Sequence, residues 1–214
     1  MIQIKEFTFN HFQTNCYVLF DEATRECAIV DPCMEADYEE RLLDQFVAAQ
    51  HLTPTLLLLT HAHTDHICGV HHVADKYSLP ITTHRDSLPW LQNAGGYGSV
   101  LGFNVPSLGH FDTKLIADGE VLTLGEGKIE CRWVPGHCPG SMVFVLHKEQ
   151  MAITGDTLFR MSIGRTDLEG GDFNQLMDRL KSQVLTLDHD FTILPGHGDC
   201  SSIAEEVNMN PFIV

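Results

Sequence analysis

Basic residues are scarce in this chain: 13 lysines and arginines stand against 29 aspartates and glutamates, leaving a formal charge of −16. Nucleic acid is gripped by clustered cations that neutralise phosphates, so no nucleic-acid partner is expected. Nowhere do about 18 apolar residues run without a break, the length that a membrane-spanning helix needs. The start, MIQIKEFTFNHFQTNCYVLF, has no basic region leading into a long apolar one, as an export signal would. The expectation is a cytoplasmic protein with no membrane contact. C-x-x-C pairs are missing too. The seven cysteines, at 16, 27, 33, 68, 131, 138 and 200, are odd in number and read as reduced thiols rather than a disulfide framework. With 214 residues, 43% of them hydrophobic, the chain can bury one sizeable core, and residues 1–214 read as a single domain.

Histidine is the residue in excess. Thirteen are present, several beside aspartates, and neutral imidazole is a good ligand for divalent transition ions. The densest group lies in Leu56 to Gly69, LLLLTHAHTDHICG, where four leucines run into His61, His63, Asp65 and His66. In H-x-H-x-D-H the first two histidines, two apart, can turn to one ion, while Asp65 and His66 on the following turn point to a neighbouring position. Two adjacent metal positions fit this spacing better than one. Three more places repeat the order of apolar run, turn and ligand: His137 in VPGHCPGS, Asp156 in ITGDTLF and His197 in ILPGHGD. A buried strand fixes where the residue at its end points, and ligands need placement to within about 0.5 Å. The leucines are the mount for the histidines. The remaining histidines, at 11, 51, 71, 72, 84, 110, 147 and 189, read as solvated, capping or packed side chains, with no carboxylate partner expected for His71 and His72.

Periodicity gives strands at 2–9, 14–20, 26–31 and 55–60, a helix at 35–50, helical spacing at 67–77, a strand at 79–83 and a short helix at 86–92. Residues 93–113, rich in glycine and aromatics and without clear period, read as a long functional loop. Strands at 129–134, 142–147 and 151–154, a helix at 172–183, a strand at 191–194 and a terminal helix near 201–207 follow. The second half repeats the first half's order of strands and then helix.

These motifs resemble the metallo-β-lactamase superfamily over essentially the whole chain. The resemblance implies an α/β fold, a four-layer αββα sandwich with its metal site at one edge between the sheets. It also implies that His61, His63 and His137 hold a first metal, that Asp65, His66 and His197 hold a second, and that Asp156 bridges them. Within the superfamily, HAHTDH, GDTLF and LPGHGD look like glyoxalase II, the hydroxyacylglutathione hydrolases, while TNCYVL and GDTLFRMSIGRTDLEGGD are similar to its short bacterial members. That likeness implies two divalent ions, zinc first and iron or manganese as alternatives. The implied reaction is hydrolysis of a small-molecule thioester such as S-D-lactoylglutathione, by a water that the ions activate and Asp65 orients.

Arg165 falls where glyoxalase II has a lysine that meets the glutathione part of the substrate; a salt bridge to Asp167 or Glu169 is the other reading for it. Tyr97 and Phe103 line an acyl pocket or cover the core. Cys138 and Met161 stand where related sequences have threonine or serine and glycine. Larger glyoxalase II enzymes continue into a helical segment with basic residues for glutathione's carboxylates, whereas 17 residues follow His197 here. The segment IGRTDLEGG is similar as well to the persulfide dioxygenase branch, in which one iron would use only His61, His137 and Asp156. A non-catalytic metal-binding module is the third reading, disfavoured because structural zinc sites are usually closed cysteine and histidine sets.

Overall fold

The computed structural model describes residues 1–214. Three strands open the chain, β1 (Ile2–Phe9), β2 (Thr14–Asp21) and β3 (Glu26–Val30), followed by α1 (Asp37–Ala49) and β4 (Thr53–Leu58). Next come α2 (Thr64–Ile67), α3 (Val70–Tyr77), β5 (Ile81–His84), α4 (Leu88–Gln92), α5 (Ala94–Leu101) and β6 (Thr113–Ile116). The second half holds β7 (Val121–Leu124), β8 (Gly127–Trp133), β9 (Met142–Leu146), β10 (Met151–Gly155) and the hairpin of β11 (Leu158–Phe159) and β12 (Ser162–Ile163). It closes with α6 (Phe173–Arg179), β13 (Thr192–Pro195), β14 (Ser201–Ser202) and α7 (Ile203–Met209). No helix is long and apolar enough to cross a membrane.

The strands form two six-stranded sheets, one in the order β1-β2-β3-β4-β5-β6 and the other β14-β13-β10-β9-β8-β7. In the first, β1 to β3 are antiparallel and β3 to β6 parallel. In the second, only β10 and β13 run parallel. Side chains alternate across a strand, and here both faces are covered, which explains why the central strands read as unbroken apolar runs. Val18, Ile29 and Leu57 face a core beneath α1 and α3. Leu19, Val30 and Leu58 face the space between the sheets, where they meet Met142, Phe144 and Ile153. Val143, Val145 and Ala152 turn the other way, onto Leu176 and Leu180 after β12 and Ile203 of α7. Three cores separate four layers, helix, sheet, sheet and helix, as the resemblance implies.

Several elements differ from the sequence reading. Residues 94–101 are helical where a loop is expected. Glycines at 95, 96 and 98 weaken intrinsic helix propensity, but Gly98 is buried, and a Cβ there would press on Thr64 Cγ2 at 3.1 Å and Phe103 O at 3.2 Å. Close approach to α2 therefore favours the residue that local propensity disfavours. β6 and β7 are short edge strands of the two sheets with half-exposed patterns, and no strand is assigned to them from the sequence. The terminal helix begins at Ile203, because Ser201 and Ser202 pair with β13 first. The helix predicted over 172–183 is α6 running into a wider π turn at Leu180–Val184.

Candidate metal centre

Four loops at the carboxyl ends of strands meet at one edge of the sandwich. The chain leaves β4, turns through His61 and His63, and enters α2, which carries Asp65 and His66. His137 follows β8, Asp156 follows β10 and His197 follows β13. All seven sequence-predicted residues come together, and their donor atoms sort into groups. His61, His63 and His137 form one and Asp65, His66 and His197 another, the ligand atoms of each lying within 4.8 Å of one another.

In the first group, the hydrogen bonds on the far sides of the rings decide what points inward. His137 Nδ1 donates to the Arg165 carbonyl at 2.8 Å, so its Nε2 carries a lone pair. Thr60 Oγ1 donates to Asp31 at 2.5 Å and accepts from His61 Nδ1 at 3.1 Å, so His61 Nε2 carries a lone pair too. Both face His63 Nδ1, at 3.1 Å from His61 and 2.9 Å from His137. A single proton on His63 Nδ1 can be given to only one of these acceptors and leaves the other Nε2 lone pair without a donor. A cation at their centre satisfies all three, so the donor chemistry fits a metal ion.

The second group shows the same logic. His66 Nδ1 donates to Asp31 Oδ2 at 2.9 Å and His197 Nδ1 to the Phe12 carbonyl at 3.2 Å, aiming both Nε2 atoms inward. Asp65 Oδ2 stands 3.5 Å from His66 Nε2 and 3.2 Å from His197 Nε2. Asp156 lies between the groups, with Oδ1 3.2 Å from His66 Nε2 and Oδ2 3.5 Å from His137 Nε2 and 3.6 Å from His197 Nε2. His66 Nε2 and Asp156 Oδ1 are both buried without a hydrogen bond, despite their proximity. Buried polar atoms are normally partnered; these two are aimed at a shared space instead. Gly196 leaves that space open, since a Cβ there would collide with Asp156 Oδ1 and come within 2.6 Å of His66 Cε1.

Electrostatics separate the two groups. Burial pushes His61 well below the usual histidine range, His63 to about 4 and His137 down as well, so the first group is neutral imidazole. Burial also opposes charge on Asp65 and Asp156, yet the neighbouring imidazoles, His66 foremost, hold both below the usual carboxylate range. The same carboxylates raise His66 and His197 against the pull of burial. A dication entering this group competes with protons for those imidazole nitrogens.

Sequence reasoning missed the residues that aim the ligands. Asp31, buried in the turn after β3, accepts from Thr60 N at 2.7 Å as well as from Thr60 Oγ1 and His66. Thr14 Oγ1 donates to Asp65 Oδ2 at 3.2 Å, and Asn15 Nδ2 bonds the Pro195 and Gly198 carbonyls on either side of His197. The Asp31-Pro32 turn and the TNC run were visible in the sequence, but their partners lie tens of residues away. His71 and His72 do have carboxylate partners, against expectation: His72 sits between Glu40 and Asp44 of α1 at 3.3 and 3.1 Å, and His71 lies 3.8 Å from Glu40.

A cavity of about 450 Å³ opens above the cluster. Its walls include Phe12, Trp90, Tyr97, Val100, Leu101 and Leu168, with Arg165 at the mouth. The Arg165 guanidinium is held by both oxygens of Asp167, at 2.8 and 2.9 Å, which is the salt-bridge alternative of the sequence reading. Tyr97 lines the cavity; Phe103 is buried beneath it, against His11 and Phe12.

The family model described as the metallo-beta-lactamase superfamily matches residues 10–197. Among curated relatives, a hydroxyacylglutathione hydrolase, GloC, of Haemophilus influenzae is 33% identical over 204 residues, 94% of this chain and 93% of the relative. Among solved structures, the BLEG-1 B3 metallo-beta-lactamase superposes with a TM-score of 0.89 at 34% identity, covering 99% of this chain and 100% of that one. TTHA1623 in a di-iron-bound form superposes at 0.86 with 31% identity, covering 97% and 99%. With the family model spanning most of its length and both sheets matching solved members, the chain belongs to the metallo-β-lactamase superfamily.

Proposed function

We propose that this metal-dependent hydrolase cleaves thioesters of the S-D-lactoylglutathione type at two divalent cations. His61, His63 and His137 would hold one, Asp65, His66 and His197 the other, and Asp156 would be shared. The observation that carries this reading is the second preassembled ligand group. An oxygenase with one iron on His61, His137 and Asp156 would leave the converging donor atoms of Asp65, His66 and His197 without a cation of their own. The all-nitrogen and oxygen donor set suits zinc, our first choice, and also iron or manganese.

Two dications held there would supply Lewis acidity and lower the pKa of a water towards ~7. Each side-chain contact of Asp65, from Thr14, His66 and His197, falls on Oδ2. Oδ1 is thereby left to accept from the attacking water and set its orientation. The leaving thiolate needs little protonation, since thiols have a pKa of about 8.5, so a site without a dedicated general acid suits a thioester. The apolar wall of Trp90 and Tyr97 keeps bulk water from one side of the reaction.

Thiol release from S-D-lactoylglutathione by the purified, metal-loaded protein in oxygen-free buffer tests this assignment. Release without oxygen is the expected result. Oxygen uptake with glutathione persulfide and no thiol release would overturn it. A chromogenic β-lactam in the same series checks the activity that the BLEG-1 relative is named for; its cleavage in place of the thioester would move the assignment there.

A further inference from the structure

Scattered apolar side chains on a surface need no explanation, whereas convergent ones mark a binding site. Of fifteen exposed large hydrophobic residues, Phe12, Tyr97, Val100, Leu101 and Leu168 line a cavity that opens onto the histidine and aspartate cluster. Val100 is 84% exposed there with no partner to cover it. An aromatic wall leads outward from the cluster. Trp90 stands edge-on to His63 at 5.7 Å between ring centroids and stacks on Tyr97 at 4.9 Å and 27°.

Charge in the cavity does not favour a ligand rich in carboxylates. Arg165 is its one cationic side chain apart from the histidines, and the Nε and Nη2 edge of that guanidinium already donates to Asp167. Glu169 also faces the cavity and accepts from the Tyr97 hydroxyl at 3.4 Å. A glutathione carboxylate arriving here would have to share that single guanidinium with Asp167 and lie near Glu169.

Resting on the thioesterase reading, we infer that this site selects its substrate by a neutral, apolar acyl group seated against Trp90, Tyr97 and Val100, and not by glutathione. The carbonyl then lies at the cluster. Water supplies the new C–O bond, the C–S bond breaks, and the thiolate leaves while the proton from water passes to it or to solvent. Each buried methylene is worth about a fourfold gain in binding, so a long acyl group is strongly preferred to a short one.

The test compares acetyl and hexanoyl thioesters of N-acetylcysteamine with S-D-lactoylglutathione on the metal-loaded protein. It adds calorimetric binding of the uncleavable S-ethyl and S-hexyl thioethers of the same thiol. We expect kcat/KM at least tenfold higher for hexanoyl than for acetyl and higher than for lactoylglutathione, and S-hexyl binding at least tenfold tighter than S-ethyl. Val100→Asp, at a position 84% exposed, should lower hexanoyl kcat/KM at least fivefold more than acetyl. Cleavage of lactoylglutathione with a flat chain-length profile would overturn this inference and leave the thioesterase reading intact. Chain-length-dependent thioether binding with no thioester cleaved would do the reverse.

Discussion

Removing Asp31 separates the ligand-aiming network from the ligands themselves. Asp31→Ala takes away the acceptor for Thr60 N, Thr60 Oγ1 and His66 Nδ1, at 2.7, 2.5 and 2.9 Å. The Thr60 hydroxyl can rotate, but the Thr60 amide and His66 Nδ1 are stranded in a buried site. At ~1–3 kcal/mol for each unsatisfied donor, the loss is about 3 kcal/mol. Asp31 also has φ +48, a conformation that aspartate and asparagine accept more readily than alanine. For a chain of this size the melting temperature of the metal-free protein should fall by roughly 6–12 °C. Asp31→Asn keeps the size and the backbone preference, and its amide oxygen can still serve Thr60. Its NH₂, however, then faces His66 Nδ1, which must give up its proton and carry it on Nε2, where the lone pair is needed. Asp31→Asn should therefore fold nearly as well as the parent and yet lose ~10–100-fold in affinity for the second ion. Calorimetric zinc titration of the metal-free proteins, beside thermal melts, measures both effects. Parent-like binding of two ions by Asp31→Asn would refute the reasoning.

Three further outcomes follow from named contacts. Gly196→Ala places a methyl group against Asp156 Oδ1 and His66 Cε1; zinc titration should show at least tenfold weaker binding of the second ion alongside a lowered metal-free melt, and equal affinity would contradict it. Burial pushes the Cys138 thiol up to about 11, so it stays protonated and inert: Cys138→Thr should keep turnover within about tenfold, ~1.4 kcal/mol in barrier, and peroxide should inactivate parent and variant alike, whereas a resistant variant would make Cys138 a regulatory thiol. Asp44 is held below the usual carboxylate range, against burial, by Lys76, His72 and Tyr77, so it contributes stability that is present above the unfolded pKa of about 3.9 and lost as pH falls through the lower folded value. Asp44→Asn should melt ~2–4 °C below the parent at pH 7, about 1 kcal/mol after solvent screening, with the gap closing below pH ~4; a gap independent of pH would rule out the charge as its cause.

The seven clustered residues were legible in the sequence because each sits in a short local pattern, an apolar strand followed by a turn and a donor. The layer order was legible for the same reason, since Leu57 and Leu58 serve two different cores and so must be consecutive apolar residues. The aiming residues were not. Asp31 lies 29 positions from Thr60 and Thr14 lies 51 from Asp65, and no period links such pairs. α5 was hidden because packing of Gly98 on α2 overrides a glycine-rich sequence. Arg165 could be read either as a substrate contact or as one half of an ion pair until its geometry with Asp167 was known.

Metal analysis of the purified protein by mass spectrometry, beside the Asp156→Ala variant, bears most directly on the proposed two-ion centre. With Asp156 spanning both ligand groups at 3.2 to 3.6 Å, two divalent ions per chain are expected in the parent. The variant should lose at least one ion and nearly all thioester cleavage, since removing the shared carboxylate leaves the remaining charges uncompensated. One iron per chain in the parent, or full occupancy with near-normal turnover in Asp156→Ala, would contradict it.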